Sequence, residues 1–266
     1  MRSGNVFWGM VLIALGLLFF VEKSGLLDVD VFGMFWAIFL MLLGGWILMG
    51  RAKSDASGEG NVIEEKFSID LQGAAQVALD LDHGVGSVQI NGAAPTGVAV
   101  TGNKASGMEF KNKLVGDTLE VKIEAGPSFL PFLGPESGVW RYQLNRDVPL
   151  TIDVDAGASS LDFDLTDLKL TRMKIDMGAT ALKVKLPANA GISVVDIDAG
   201  AASLELHVPS GVAARLRLEQ GASAVEVDQS RFSMIGSGLY QSADYDTAAN
   251  KVEITLDGGA NTVKVW

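Results

Sequence analysis

The 266-residue chain has no cysteine, which excludes disulfides, thiolate metal sites and thiol nucleophiles. The compartment stays open, because a cysteine-free chain is compatible with either side of a membrane. Histidine is almost as scarce: His83 and His207 are the only two. Without cysteine, a structural zinc site has too few ligands. Positive charge is short as well. Lysine and arginine total 21 against 32 acids, a formal net charge of −11, whereas a nucleic-acid binder needs a basic face to neutralise phosphates. No Gly-x-Ser-x-Gly elbow, P-loop or dinucleotide-binding Gly-x-Gly-x-x-Gly turn occurs. Nothing in the sequence points to a catalytic set, and no cofactor is expected.

Hydrophobicity is concentrated at the start. Residues 6–21 run VFWGMVLIALGLLFFV and residues 31–49 run VFGMFWAIFLMLLGGWILM, both without a charge. At 1.5 Å per residue the second run is about 28 Å long, enough to cross the hydrocarbon core. The first is shorter and borrows Leu26 and Leu27 or thins the bilayer. No small-residue cleavage site follows it and a second span begins at once, which argues against a signal peptide. Residues 1–50 therefore read as a transmembrane helical hairpin. Gly33, Ala37 and Gly44 share one helix face and Gly9 and Gly16 share another, and small faces let membrane helices approach closely. Arg2 precedes the first span and Arg51 and Lys53 follow the second, which places both termini in the cytoplasm. Residues 51–61 form a polar, small-residue linker.

The rest of the chain repeats. Gly157-Ala-Ser-Ser-Leu161-Asp-Phe163 is followed by Gly178-Ala-Thr-Ala-Leu182-Lys-Val184, then Gly200-Ala-Ala-Ser-Leu204-Glu-Leu206 and Gly221-Ala-Ser-Ala-Val225-Glu-Val227. Gly259-Ala-Asn-Thr-Val263-Lys-Val265 closes the chain after a longer interval, and Gly84-Val-Gly-Ser-Val88-Gln-Ile90 is a degenerate early copy. A period of about 21 residues with strand-type alternation predicts an all-β, solenoid-like stack of rungs. Residues 140–266 form the regular part. Residues 62–139 read as an N-terminal β part with weaker periodicity, a separate sheet stacked on the rungs. Alternation directs Ile152, Val154, Leu161, Phe163 and Leu165 inward, with Ile175, Leu182, Val184, Leu186, Ile197, Leu204, Leu206, Val208, Leu216, Leu218, Val225 and Val227 in the later rungs. Glycine at the turn is expected to supply φ > 0.

Two outward columns follow from that register. Asp153, Lys174, Asp196 and Arg217 alternate in sign, so successive rungs are expected to pair opposite charges. Asp155, Asp176, Asp198, Glu219 and Asp257, with Asp82 in the early copy, form a stack of like charges. Each acid either caps the backbone N–H groups of its own turn or belongs to an oxygen-rich cation-binding edge. His207 takes an outward strand position and His83 a turn, both expected at the surface. Two interruptions break the regularity. PSFLPFLGPESGVW (127–140) clusters Phe129, Leu130, Phe132 and Leu133, either to touch the bilayer or a partner protein or to cap the first rung. SRFSMIGSGLYQSADYDTAA (230–249) reads as a cap or an extra rung before the last repeat.

The paired spans, GLLFFVEKSGLLD turning into FWAIFLMLLGGWILM, resemble the transmembrane module of LiaI/LiaF-like bacterial envelope-stress proteins. WRYQLNRDVPLTIDVDAGASSLDFDLTDLKLTRMKIDMGATALKVKLP, from Trp140, is similar to the toast-rack β-domain and the LiaF C-terminal domain. The resemblance implies a multi-pass protein of the bacterial inner membrane that restrains a two-component sensor kinase until the envelope is damaged, with no catalytic residues to carry over. Some members have four spans and this chain has two. A self-assembling membrane-associated β-scaffold, hence a homo-oligomer, is the alternative. A cation- or glycan-binding module using the acidic column is a third.

Overall fold

The computed structural model describes residues 65–104, 108–125 and 139–266, without the side chains of residues 125, 220–223 and 260. The transmembrane hairpin with Gly9, Gly16, Gly33, Ala37 and Gly44, the linker, and the cluster Phe129, Leu130, Phe132 and Leu133 all lie outside the described residues.

Among the described residues every regular element is a strand: β1(Lys66–Asp70), β2(Gln76–Asn91), β3(Val98–Asn103), β4(Glu109–Val115), β5(Thr118–Ala125), β6(Val139–Leu144), β7(Pro149–Asp164), β8(Lys169–Lys185), β9(Ile192–His207), β10(Ala213–Val227), β11(Phe232–Gly236), β12(Leu239–Ser242) and β13(Lys251–Val265). All thirteen belong to one sheet, in which β2, β7, β8, β9, β13 and β10 run side by side in parallel.

Each long strand is two arms joined by a corner. In β7 the first arm buries Leu150, Ile152, Val154 and Ala156, all even-numbered, while the second buries Leu161 and Phe163, which are odd-numbered. The inward parity switches across residues 157–160. A straight strand keeps one parity on one face, so the switch marks where the chain bends to bring both arms around one core. Short returns then carry the chain to the next rung. The Leu168 N–H bonds to the Leu165 carbonyl at 3.0 Å, and Gly191 and Gly211 supply φ of 76° and 84° in the later returns. Leu161, Leu182, Leu204 and Val263 stack along one continuous core with Phe163, Val184, Leu206 and Val265. Parallel neighbours about 4.8 Å apart explain why an isolated rung has nothing to bury against.

In the first corner Gly86 has a φ of 139°, and the other positive-φ glycines lie outside the corners, as at Gly191 and Gly211; contrary to the expectation, the repeat glycines Gly84, Gly157, Gly178, Gly200 and Gly259 do not have positive φ. Their role is close approach. A Cβ on Gly178, Gly200 or Gly259 would lie 3.0, 3.2 or 2.9 Å from the carbonyl oxygen of the corner glycine on the adjacent rung, and a Cβ on Gly157 would lie closer still to the Gly84 carbonyl. The corners stack glycine on glycine because nothing larger fits between backbones.

The order of the rungs also differs from the order of the repeats. β13, the last strand, inserts between β9 and β10. Asp196 therefore stands beside Thr255, and Arg217 stands on the far side of that threonine. The expected Asp196–Arg217 pairing does not occur, since register fixes which residues can face but not which rung is adjacent. At the C-terminal end, β11 and β12 form a hairpin whose second strand pairs antiparallel with residues 215–217 of β10, covering only the first arm. Val225, expected inside, is 41% exposed because no strand lies beyond it among the described residues.

The N-terminal strands continue the same sheet rather than forming a separate one. β5 extends the first arm of β2 and β6 extends the second. Ala125 pairs with His83 and Val139 with Ser87, so these two partners of β2 are separated in sequence by residues 126–138, where β2 itself has a three-residue corner, 84–86. β4 then flanks β5, and β3 and β1 follow β6.

Candidate functional site

The outer side of the first arms carries the acidic column. Register places Glu109, Glu124, Asp82, Asp155, Asp176, Asp198, Asp257 and Glu219 next to one another in that order, one acid per strand from β4 to β10. The strand spacing holds neighbours about 4.8 Å apart, and side chains on one face leave the sheet side by side rather than converging. Among the described residues no three His, Asp or Glu side chains come together as a metal site requires.

Among the described residues no corner N–H donates to Asp155, Asp176, Asp198 or Asp257, contrary to the capping expectation; the ladder engages the strand amides with neighbouring rungs. Asx-type capping is done in the returns instead. Asp164 accepts from the Thr166 N–H at 3.3 Å and Asp228 from the Ser230 N–H at 3.0 Å. Cations from the neighbouring column partner only part of the acid row. Lys174 reaches Asp176 at 2.5 Å, Lys122 and Lys111 each lie 3.3 Å from Glu124, and Arg217 is 3.9 Å from Glu219. The hydrogen bonds from Lys111 and Lys122 hold the Glu124 carboxyl below the usual range. Asp82, Asp155, Asp198 and Asp257 are exposed. A shallow groove of about 440 Å³ crosses this face near its N-terminal end, with Lys111, Lys113 and Lys122 opposite Asp80, Glu120 and Asp153.

The outer side of the second arms is different. There Asp162, Lys183, Glu205, Lys264 and Glu226 stand in register on β7, β8, β9, β13 and β10. Signs alternate without a break only because β13 sits between β9 and β10, putting Lys264 between two glutamates. Lys264 Nζ lies 3.7 Å from Glu226. Opposite charges on adjacent strands are mutually stabilising, and like charges repel.

His83 is not at the surface. It is 1% exposed, at the inner side of the first corner, where the next rungs carry Ala156, Met177 and Ala199. Its Nε2 lies 2.8 Å from the Tyr142 hydroxyl, and its ring meets Trp140 edge-on with centroids 5.1 Å apart. Nδ1 is buried with no partner among the described residues. Burial lowers the His83 pKa to about 4 and raises that of Tyr142. A turn position next to glycine gave no sign of this; the signal lay in the alternation Val77, Leu79, Leu81, His83, which continues the inward parity. His207 is half-buried on the outer side, its ring 5.7 Å from that of Trp266.

The architecture and surface define an all-β repeat domain of toast-rack type, a stacked scaffold with charge ordered on its outer faces. Residues 58–207 match the family described as Toast_rack_N, the N-terminal domain of toast_rack, DUF2154. The match spans more than half of the chain, and the chain belongs to this family. Among solved structures, a candidate cell adhesion protein from Clostridium sporogenes is similar, with a TM-score of 0.66 and 22% identity over 76% of this chain and 98% of that one. At that identity the likeness shows the fold alone. A candidate adhesin from Bacteroides fragilis matches with a TM-score of 0.26 and 8% identity over 76% of this chain and 96% of that one. No curated protein matches the chain.

Proposed function

We propose that this chain is a membrane-anchored, non-enzymatic regulator of the bacterial envelope-stress response, acting by contacts with a protein partner such as a two-component sensor kinase. The observation that carries this reading is the acidic column. Asp82, Asp155, Asp198 and Asp257 stand exposed in one row on a flat strand face, where a basic surface of matching period relieves their mutual repulsion. The two charge-free runs in residues 6–49 support the anchor. Description of the Clostridium sporogenes relative as a candidate cell adhesion protein fits a contact role at the envelope.

The test uses the full chain in proteoliposomes with the sensor kinase of its own cell. The wild type is expected to suppress autophosphorylation, and Asp155→Asn with Asp198→Asn and Asp257→Asn to release it while the domain stays folded by circular dichroism. Kinase output that ignores the wild-type chain altogether overturns the regulator reading.

A further inference from the structure

Among the described residues one buried side chain gains a charge when the solution turns acid, and it is His83; the other buried polar side chains there are amides and hydroxyls. Its Nε2 has the Tyr142 hydroxyl at 2.8 Å, and its Nδ1 has no partner. Protonation makes both nitrogens donors. The ring then carries a charge inside the core with one donor unmatched, an arrangement that a protein interior disfavours strongly.

The groups around the ring decide where that charge can go. β6 supplies Tyr142 and Trp140, β7 supplies Ala156, and β5 places Ala125 opposite. None of these is charged in neutral or acid solution. The charged groups stand on the outer side of the same strands. Asp82 precedes the histidine, Glu124 and Asp155 are in register with Asp82, and Arg141 is exposed on β6. Lys111 and Lys122 already lie 3.3 Å from Glu124, whereas Asp82 and Asp155 are exposed.

The corner next to His83 differs from the others in its backbone. It reads Gly84-Val85-Gly86, with a φ of 139° at Gly86. The corners of β7, β8 and β9 each have one glycine followed by alanine. A second glycine widens the backbone conformations open to the corner. At the place of His83 the later rungs carry Ala156, Met177 and Ala199, which have nothing to titrate.

We infer that the first corner is a proton-operated switch: His83 lies inside as the neutral ring and, once protonated, turns out to the carboxylates of Asp82 and Asp155. Trp140 and Tyr142 then lose the ring they pack on, and β5 and β6 loosen from β2. β1, β3 and β4 reach the rungs only through β5 and β6, so the loosening is confined to the N-terminal strands. Linkage sets its size. The closed form has a His83 pKa of about 4, and a ring in water regains 6.5, so the open form takes the proton first as pH falls. Its share relative to the closed form rises about 25-fold between pH 7.5 and 5.0.

The test is amide exchange of the full-length chain in detergent at those two pH values, with rates corrected for the intrinsic pH dependence of exchange. Peptides covering 79–91 and 139–144 are expected to exchange about 25-fold faster at the lower pH. Peptides covering 169–185 and 192–207 should keep one corrected rate. Equal acceleration of all four is a global loss of stability and overturns the switch, as does no acceleration anywhere. Two variants identify the groups. His83→Phe should abolish the acceleration, and acceleration that persists in it refutes the role of His83. Asp82→Asn/Asp155→Asn should reduce the acceleration about threefold and leave the rates at pH 7.5 unchanged. Undiminished acceleration in that variant refutes the two carboxylates as the destination of the ring.

Discussion

The first rung and the middle rungs share one register but fill it differently. In the middle, corner glycines stack at the limit of backbone approach, and the inner corner holds Ala156, Met177 and Ala199. In the first rung β5 and β6 pair with β2 only on either side of its corner, 84–86, and among the described residues a Cβ on Gly84 would meet nothing within 4 Å. The room is taken by His83, with Trp140 and Tyr142 around it, all at most 1% exposed. Repetition thus demands glycine where identical corner backbones press together, with apolar side chains from Ala156 to Met177 at the inner position beside it. Where the repeat is interrupted, large aromatic and polar side chains replace them.

That difference can be broken from either side. The largest effect is expected from Trp140→Ala, which empties the side-chain volume that distinguishes the first rung. A loss of about 3–5 kcal/mol should appear in urea unfolding. Next is the pH dependence of His83. Its folded pKa, about 4, lies below the ordinary value of 6.5, so the unfolded chain takes up the proton first as pH falls. Its neutral state is no burden above pH 6.5, stability drops between pH 6.5 and about 4, and below that its contribution is level. The drop is about 3 kcal/mol, and in His83→Phe this part of the pH profile should flatten. An unchanged profile in that variant removes His83 from the account.

Smaller effects sharpen the comparison at the corners. Gly157→Ala forces a Cβ against the Gly84 carbonyl and should cost about 1–3 kcal/mol, whereas Gly84→Ala should be neutral or stabilise by about 0.5 kcal/mol through the unfolded chain. Equal melting temperatures for the two variants contradict the stacked-glycine explanation. The smallest effect is expected from Asn261→Ala. Asn261 Oδ1 accepts the Ala202 N–H at 2.8 Å and Nδ2 donates to the Ala199 carbonyl at 3.4 Å, a side-chain substitute for ladder bonds at the bend. Its loss should cost about 1 kcal/mol, visible as faster amide exchange at Ala202.

Much of this was legible in the repeat. The inward positions from Ile152 to Leu218 are buried as alternation predicts, because a two-residue period and a hydrophobic face are local properties. The acidic column was legible for the same reason. That capping falls to Asp164 and Asp228 in the returns and not to this column was not legible, since hydrogen-bond partners depend on where the strand is straight and where it bends. Alternating charge was looked for in the first-arm column, where Thr255 interrupts it. The unbroken alternation is in the second-arm column, in the Asp162, Lys183, Glu205, Glu226 and Lys264 already contained in the repeat motif, but out of chain order.

Sequence alone determined what each rung is: its length, its corner, its inner face and the charges it carries outward. All of these are set by φ/ψ preference and alternation within about 21 residues. Tertiary structure decided which rung lies beside which. That choice inserted β13 between β9 and β10, buried His83 behind Trp140 and Tyr142, and left Val225 on a bare edge. The physical reason is that a parallel rung presents nearly the same backbone ladder to any neighbour. Its place in the stack is therefore settled by what the other strands leave unpaired, which no local pattern records.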